Sequence, residues 1–182
     1  MTEPAVQPIV LTIAGSDPTG GAGLQMDLAV FAHHSVHGMA VPTALTVQTT
    51  KGVHRTLPVF PNIVGEQLAM LLADIRPSVI KLGMLASDDV LLRVANTLDG
   101  YREIPRVVDP VLRASDGTYL LERRAWGSLV ERLIAGAALV TPNLPEAEAL
   151  SGLDADDKDH ARLEGWLEDL SVVKGGGVPG RF

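Results

Sequence analysis

Polar side chains follow the apolar runs of this sequence at five places, and together they could do chemistry. They are Asp17, Gln48, Asp109, Asn143 with Glu146, and Lys174. The runs are short and rich in β-branched residues, which is typical of buried parallel strands. In an open α/β sheet the carboxyl ends of the strands border the ligand crevice. We therefore predict that these groups share one crevice, although none of them would indicate it alone.

These side chains have more than one chemical role open to them. Asp109 could bind a metal, hold the Mg²⁺ of a nucleotide or cap a helix. Asn143 and Glu146 could serve a ligand, or Asn143 could cap the next helix while Glu146 meets its positive end. Gln48 can donate and accept through one planar amide, or be an ordinary loop glutamine. Lys81, inside an apolar run, could extend to solvent or meet a carboxylate.

The stretch 9–23, IVLTIAGSDPTGGAG, organises the rest of the chain. It predicts a strand and a Gly-rich loop that leads into a helix, the opening unit of a parallel α/β sheet. It lacks the Gly-Lys-Ser/Thr of a phosphate-binding P-loop. A dinucleotide site fits poorly, because Met26 replaces the third Gly and no acid occurs between Asp27 and Glu66. A ligand loop is favoured over a simple turn, since the Gly residues together with Asp17 and Asp27 exceed what a turn needs.

Alternating strand-like and helix-like segments must position these groups. The predicted strands lie at 9–13, 39–48, 79–85 with its turn, 106–111, 138–141 and 171–174. The predicted helices lie at 24–35, 63–75, 88–98, 126–134, from 145 onward and at 154–170. Pro42 indicates an edge or a bulge in the second strand. The inward face of the first helix is predicted to carry Leu24, Leu28, Phe31 and Ala32. This order predicts an α/β fold with a mostly parallel sheet and helices on both faces.

Composition narrows the class of protein. With 182 residues the chain is long enough for one sizeable core, so we predict a single domain over residues 1–182. The net charge of −7 argues against nucleic acid as the main partner. Cysteine is absent, which excludes disulfides and thiolate metal sites and fits a cytosolic protein. The first residues lack the basic region of a signal peptide, and no apolar run reaches the length of a membrane span.

Six ordered motifs closely resemble the hydroxymethylpyrimidine/phosphomethylpyrimidine kinases of thiamine biosynthesis, in the ribokinase-like superfamily. They are TIAGSDPTGGAGLQMDL at 12–28, TALTVQTTKGV at 43–53, KLGML at 81–85, VVDPV at 107–111, TPNLPEAEAL at 141–150 and VKGG at 173–176. They occur in family order, with family-like spacing, over nearly the whole chain. The resemblance implies a ribokinase-like three-layer αβα fold with a mostly parallel central sheet.

The resemblance also implies an activity and its site. The reaction would transfer the γ-phosphoryl group of ATP to the hydroxymethyl oxygen of the pyrimidine, and then to the resulting monophosphate. The implied substrate-binding residues are Gly15, Ala22, Asp27, Gln48, Met84 and Val111. The implied Mg²⁺ residues are Asp109 and Glu146, and the implied nucleotide-binding residues are Asn143 and Lys174. Family likeness further favours a cytoplasmic homodimer that binds a small pyrimidine and ATP, with no nucleic-acid or membrane partner.

The sequence departs from the family after Lys174. It reads Gly175-Gly176-Gly177 where the family usually has His third, and it lacks the later Gly-Thr-Gly-Cys segment that forms the anion hole. We therefore describe the fold as C-terminally truncated and expect these 182 residues alone to be nearly inactive. Four alternatives stay open: a kinase whose C-terminal part lies beyond these residues, a truncated pyrimidine-binding relative without catalysis, a pyridoxal or pyridoxine kinase, and an interaction domain.

Overall fold

A six-stranded, mostly parallel sheet forms the centre of the molecule. The computed structural model describes residues 7–153 and 160–169. Five strands run parallel: β1 (Ile9–Ser16), β2 (His37–Thr49), β4 (Val79–Leu82), β5 (Arg106–Val108) and β6 (Leu139–Val140). The remaining strand, β3 (Gly52–Pro58), pairs antiparallel with β2 at one edge, so the order is β3-β2-β1-β4-β5-β6. The predicted α/β architecture with a mostly parallel sheet is confirmed.

Helices lie between most of the strands, and two follow the last described strand. They are α1 (Gly23–His33), α2 (Pro61–Asp74), α3 (Asp88–Leu98), α4 (Trp126–Leu129), α5 (Leu144–Ser151) and α6 (His160–Asp169). A π-helical turn at Val130–Ile134 continues α4, and short 3₁₀ turns lie at Asp99–Tyr101 and Arg123–Ala125. Among the described residues, no helix is both long enough and apolar enough to cross a membrane.

Both faces of the sheet are covered. In β1 the side chains of Leu11, Thr12 and Ile13 are all fully buried, although successive side chains of a strand point to opposite faces. Leu11 and Ile13 belong to the main apolar core, whereas Thr12 donates a hydrogen bond to Asp27 of α1. The α3 helix contributes to the same apolar core as Leu11 and Ile13. Its Val90 and Val94, which recur at helical spacing, are fully buried there.

The first helix differs from its prediction. It ends at His33 instead of near Ser35, because the chain turns there and Ser35 adopts a positive φ of 57°. Leu24 is buried, and Leu28 and Phe31 are half-buried against Gly38. Ala32 is exposed, so its predicted inward position is wrong. The helix therefore packs on the strands through Leu24 near its start and through Leu28 and Phe31, which lie against Gly38.

The second strand and its neighbour also differ from prediction. A register shift between Ala14 and Gly15 of β1 places the extra residue next to Pro42, which confirms the predicted bulge. The sequence analysis did not predict β3, whose exposed His54 and Arg55 weaken the apolar signal of a strand. The fifth strand stops at Val108 instead of reaching 111. The predicted strand 171–174 and residues 154–159 and 170 of the predicted helix 154–170 lie outside the described residues, and the rest of that helix is confirmed as α6. A single domain over 1–182 stays a prediction.

Candidate functional site

A cavity of about 690 Å³ lies at the carboxyl ends of β1, β2, β4 and β5. Of the residues named from the sequence, it is lined by Gly15, Ala22, Gln48, Met84, Asp109 and Val111, together with Asp17. Asp27, Asn143 and Glu146 do not line it. Lys174 lies outside the described residues. The binding roles of all these residues stay predictions, but the structure brings most of the pyrimidine-side set into one space.

Asp17 shapes the Gly-rich loop from within. Its side chain is only 4% exposed, and its two carboxylate oxygens accept hydrogen bonds from the backbone N–H and the hydroxyl of Thr19, at 2.8 and 2.9 Å. Gln25 of α1 accepts from the backbone N–H of Asp17 at 2.9 Å and donates to the Ser16 hydroxyl at 2.7 Å. An Asp that bonds the backbone two residues on forms a local turn of its own. The carboxylate of Asp17 therefore stabilises the conformation of the loop, although Asp17 also lines the cavity.

Two glycines make the junction between loop and cavity possible. Gly23 has a φ of +58°, and a Cβ placed there would collide with the carbonyl oxygen of Gly15. A Cβ on Gly15 would lie 2.7 Å from the sulfur of Met84. Only a residue without a side chain satisfies both the backbone conformation and the close approach at position 23. At position 15 the missing side chain leaves room for Met84 beside the cavity.

The end of β2 presents two polar side chains to the cavity. Thr46 and Gln48 are two residues apart and so share one face of the strand. The Thr46 hydroxyl lies 2.9 Å from the Ser16 carbonyl oxygen and 3.0 Å from Oε1 of Gln48. A register shift against β3 occurs between Val47 and Gln48, so that Gln48 stands opposite Val53. The extra residue is His54 of β3, so the bulge lies on that strand and β2 stays regular past Gln48.

Lys81 of β4 meets a carboxylate under the cavity, which decides between the two roles that the sequence left open. Its Nζ lies 3.1 and 3.0 Å from the two carboxylate oxygens of Asp27, and Thr12 donates to the same carboxylate at 2.6 Å. Asp27 is thus engaged beneath the cavity and does not face into it. Lys81 itself lines the cavity, and its Nζ lies 3.8 Å from Oδ2 of Asp109.

Asp109 carries a carboxylate that is partly open to the cavity. Its side chain is 38% exposed, and within the described residues its carboxylate accepts no hydrogen bond. Burial raises the pKa of Asp109; the Lys81 ammonium works in the opposite direction, and the charge of Asp27 adds to the increase. Desolvation disfavours the charged form of an acid, so this carboxylate lacks full compensation of its charge.

Asn143 and Glu146 form the N-terminal cap of α5. The Asn143 side chain accepts from the Glu146 N–H at 2.9 Å, and Oε2 of Glu146 accepts from the Asn143 N–H at 2.9 Å. Oε1 of Glu146 also accepts from the Leu112 N–H at 3.4 Å. This is a capping box, so the helix-cap role that the sequence left open for Asn143 is confirmed. Burial raises the pKa of Glu146, the Asn143 bond lowers it, and the nearby charge of Asp109 raises it further.

The sequence analysis did not identify the groups at the cavity mouth. Asp116 accepts from the Val53 N–H at 2.8 Å and from the Thr118 N–H at 2.9 Å, which joins the β2–β3 turn to the loop after β5. Those bonds, that of Thr118 first, lower the pKa of Asp116. Arg113 stacks 4.4 Å from the ring centre of Tyr119 and bonds its hydroxyl. The Asp-Gly pair at 116–117 is a turn signal that would have located the loop, though not its partner.

Comparison with known proteins gives consistent matches. A family model described as phosphomethylpyrimidine kinase matches residues 17–178. The curated hydroxymethylpyrimidine/phosphomethylpyrimidine kinase of Synechococcus elongatus is 40% identical over 178 residues, which are 95% of this chain and 67% of that protein. The solved phosphomethylpyrimidine kinase of Clostridium difficile 630 is similar at a TM-score of 0.84 and 37% identity, covering 96% of this chain and 78% of that one.

A second solved protein of the same fold has a different name. Staphylococcus aureus pyridoxal kinase in complex with pyridoxal is similar at a TM-score of 0.80 and 31% identity, covering 94% of this chain and 65% of that one. Its complex with AMP-PCP matches at a TM-score of 0.79 and 32% identity, covering 94% and 63%. The ribokinase-like α/β fold is therefore confirmed. The chain spans between 31% and 67% of the length of the first curated relatives it matches.

Proposed function

Since this chain belongs to the phosphomethylpyrimidine kinase family, we propose that it binds 4-amino-5-hydroxymethyl-2-methylpyrimidine. We further propose that it serves the ATP-dependent phosphorylation of that pyrimidine, and of its monophosphate, in thiamine biosynthesis. One observation carries the proposal. The five uncharged residues expected to contact the pyrimidine line a single cavity at the strand ends: Gly15, Ala22, Gln48, Met84 and Val111.

The cavity suits a small aromatic ring with polar substituents. Met84 and Val111 offer apolar walls, and Gly15 leaves room beside Met84. Gln48 offers an amide whose oxygen can accept from the exocyclic amine while its nitrogen donates to a ring nitrogen. A mostly apolar pocket with a few placed polar groups is the usual form of a small-molecule site. Asp27 would act on the pyrimidine side indirectly, by holding Lys81 under the cavity.

Mg²⁺ and the nucleotide would lie on the other side of the crevice. Asp109 fits a metal, because its carboxylate is partly exposed to the cavity and incompletely compensated. Glu146 keeps acceptor capacity beyond its backbone bonds, and the charge of Asp109 raises its pKa. Within residues 7–153 and 160–169 no three acidic or imidazole groups could hold a metal together. Mg²⁺ is commonly held by one or two carboxylates with phosphates and water, and when bound it would neutralise phosphate charge.

The proposed reaction forms an O–P bond at the hydroxymethyl oxygen and breaks the bond between the γ-phosphorus and the β–γ bridging oxygen of ATP. The hydroxyl loses its proton, and ADP leaves. The same transfer to a phosphate oxygen of the monophosphate would give the diphosphate. Positioning and charge neutralisation supply most of the catalysis in such transfers. Asn143 and Lys174 are proposed on the nucleotide side, and the AMP-PCP complex of the S. aureus relative supports ATP as co-substrate.

Calorimetry on the 182-residue chain tests the proposal directly. We expect the hydroxymethylpyrimidine to bind, and pyridoxal to bind at least about tenfold more weakly. Formation of ADP on adding the pyrimidine with MgATP would support a complete kinase. Binding without ADP formation would support the pyrimidine-binding part of the proposal alone, since little turnover is expected of these 182 residues by themselves. A folded chain that binds neither ligand would reject the proposal.

Pyridoxal phosphorylation is the second candidate function. The observation in its favour is the pyridoxal complex of the S. aureus relative, at 31% identity. Gln48 and Met84 favour the pyrimidine, because the amide matches the amine and ring nitrogen of an aminopyrimidine edge. Tighter binding of pyridoxal than of the pyrimidine in the same titrations would make pyridoxal phosphorylation the favoured function.

We also propose a cytoplasmic homodimer. Leu45 and Val47 of β2 and Leu57 of β3 are exposed on one face of the sheet edge, and Phe60 and Ile63 are exposed close by in the chain. Apolar surface of this extent is typical of an interaction site. Sedimentation should give about twice the chain mass of 19.3 kDa. Leu45→Lys with Leu57→Lys should give monomers, whereas Met70→Lys, an exposed control on α2, should not. The use of ATP supports the cytoplasmic location.

A further inference from the structure

Thr46 lies where the Gly-rich loop and the pyrimidine-facing strand meet. It is half-buried, lines the cavity and shares a strand face with Gln48. Its hydroxyl lies between two oxygens, the backbone carbonyl of Ser16 at 2.9 Å and Oε1 of Gln48 at 3.0 Å. The register shift at this point adds a residue to β3, since Val47 pairs with Arg55 and Gln48 pairs with Val53, so β2 stays regular and keeps Thr46 and Gln48 on one face.

A hydroxyl has one proton to donate, whereas an amide has a distinct accepting end and donating end. Two acceptors, the Ser16 carbonyl oxygen and Oε1 of Gln48, lie within reach of the Thr46 proton. A hydroxyl that donates to Oε1 holds the oxygen end of the amide, and one that donates to Ser16 can only accept from the nitrogen end, so either state selects one orientation. In the structure Oε1 faces the hydroxyl, and the oxygen end of the Gln48 amide lies beside β1. The nitrogen end is then held on the opposite side. Without the hydroxyl, the amide could rotate by half a turn about its last bond and exchange its two ends, because both orientations fill the same space.

The order of the two ends matters for an aminopyrimidine. Such an edge carries a donor, the amine, next to an acceptor, the ring nitrogen. Only one orientation of the amide pairs both groups, and the reverse orientation sets donor against donor and acceptor against acceptor. A ring that turns over to restore the pairing would carry its hydroxymethyl group to a different side of the cavity.

We propose that Thr46 is a positioning residue that fixes the orientation of the Gln48 amide. Through that amide it fixes the orientation of the aminopyrimidine ring in the cavity. This inference rests on the proposed function and deepens it. It makes the Thr46 hydroxyl a determinant of specificity for the amine, although it need not touch the ligand.

Calorimetry with two ligands and three variants tests the role. The ligands are 4-amino-5-hydroxymethyl-2-methylpyrimidine and the analogue with hydrogen in place of the amine. Thr46→Val removes the hydroxyl at nearly constant shape, and Thr46→Ser restores it. Thr56→Val is the matched control, because Thr56 stands opposite Thr46 on β3 and its buried hydroxyl has no partner among the described residues.

We expect Thr46→Val to weaken binding of the aminopyrimidine by about tenfold and to change binding of the analogue by no more than about twofold. Thr46→Ser and Thr56→Val should bind both ligands like the wild type. In a Gln48→Leu background, Thr46→Val should have no further effect, since its action passes through that amide.

The failures are distinguishable. Unchanged affinity in Thr46→Val, with the wild type binding and Gln48→Leu impaired, would overturn this inference and leave the proposed function standing. Equal weakening of both ligands by Thr46→Val would show a general effect on the cavity and would also overturn it. A folded wild type that does not bind the aminopyrimidine would reject the proposed function, and this inference with it.

Discussion

The two sides of the crevice hold their polar side chains in different ways. On the proposed pyrimidine side, the oxygen end of the Gln48 amide lies against the Thr46 hydroxyl, and within the described residues the nitrogen end has no protein partner. On the proposed nucleotide side, Asn143 and Glu146 are bonded to each other's backbone and close a helix end. Polar residues at strand ends are easy to find in a sequence. Their availability to a ligand depends on which backbone N–H groups nearby need a partner.

Asp109 is the exception that sharpens this comparison. It lies between the two sides, faces the cavity, and within the described residues its carboxylate has no hydrogen-bonded backbone group. Nζ of Lys81 lies 3.8 Å from Oδ2 of Asp109, and it donates its hydrogen bonds to Asp27 instead. An open carboxylate thus separates a closed helix cap on the proposed nucleotide side from an amide that is held at one end on the proposed pyrimidine side.

The largest expected effect concerns the loop that builds the pyrimidine side. Gly23→Ala should lower the free energy of unfolding by about 2–5 kcal/mol, since it adds a positive-φ penalty to a collision with the Gly15 carbonyl. Gly20→Ala is the control, because its φ is +75° but open space surrounds it, and it should cost only about 1–2 kcal/mol. Urea denaturation measures both. Equal losses would mean that the close approach at position 23 does not constrain the loop.

The next effect is on ligand binding. Gln48→Leu should weaken binding of the hydroxymethylpyrimidine by about 1–3 kcal/mol, because a buried polar pairing is lost. Gln67→Leu, on the exposed surface of α2, is the matched control and should bind like the wild type. Calorimetry of the two variants decides. Wild-type affinity in Gln48→Leu would show that the Gln48 amide does not pair with the pyrimidine.

On the nucleotide side, stability should respond before binding does. Glu146→Ala should lower the free energy of unfolding by about 0.5–2 kcal/mol, since the capping box is lost. Glu66→Ala, an exposed residue of α2, should change it little. Thermal or urea unfolding measures the difference. An unchanged stability in Glu146→Ala, with impaired Mg²⁺-dependent nucleotide binding, would instead show that Glu146 serves Mg²⁺ binding and contributes little to the stability of the helix cap.

The smallest effects are the pH dependences of two acids with opposite shifts. The pKa of Asp109 is raised in the folded state, so its charge costs stability once the pH rises above the ordinary Asp range. Asp109→Asn should therefore be more stable than the wild type at pH 7, and the gain should shrink toward pH 4. The pKa of Asp116 is lowered, so Asp116→Asn should be less stable at pH 7, and the loss should shrink as the pH falls.

Unfolding curves across this pH range measure both changes. A gain at pH 7 for Asp109→Asn would agree with an uncompensated carboxylate facing the cavity. A loss there would mean that Asp109 has a stabilising partner, and the contrast between an open acid and a closed cap would no longer hold.

Much of the fold follows from local patterns. The α3 helix is predicted at its observed bounds, because apolar residues recur at helical spacing, and the structure adds that Ser87 caps it and acids occupy its first turn. Pro42 located the bulge in β2. In contrast, β3 was missed because its exposed polar residues break the apolar pattern, and its pairing depends on a turn next to β2.

The site was predictable only as a set of positions. The strand-end rule placed Asp17, Gln48 and Asp109 at one cavity, but Asn143 and Glu146, which it also named, do not line it. Met84 and Val111 line the cavity too, and they were implied by the family resemblance alone. Pairings across long separations were not accessible. Lys81 meets Asp27 54 residues earlier in the chain, and Asp116 joins Val53 63 residues earlier. Local spacing carries no information about such partners, so the positions were predicted without the bonds that hold them.

The contact between Gly15 and Met84 couples two positions of this cavity under mutation. A side chain at position 15 would displace the methionine sulfur, so a substitution there is easier to accommodate once position 84 has shortened. Shortening Met84 first leaves a gap that a methyl group at position 15 could fill. The two sites are therefore epistatic, and a library that varies one while fixing the other would miss the ring sizes that only the pair can accommodate.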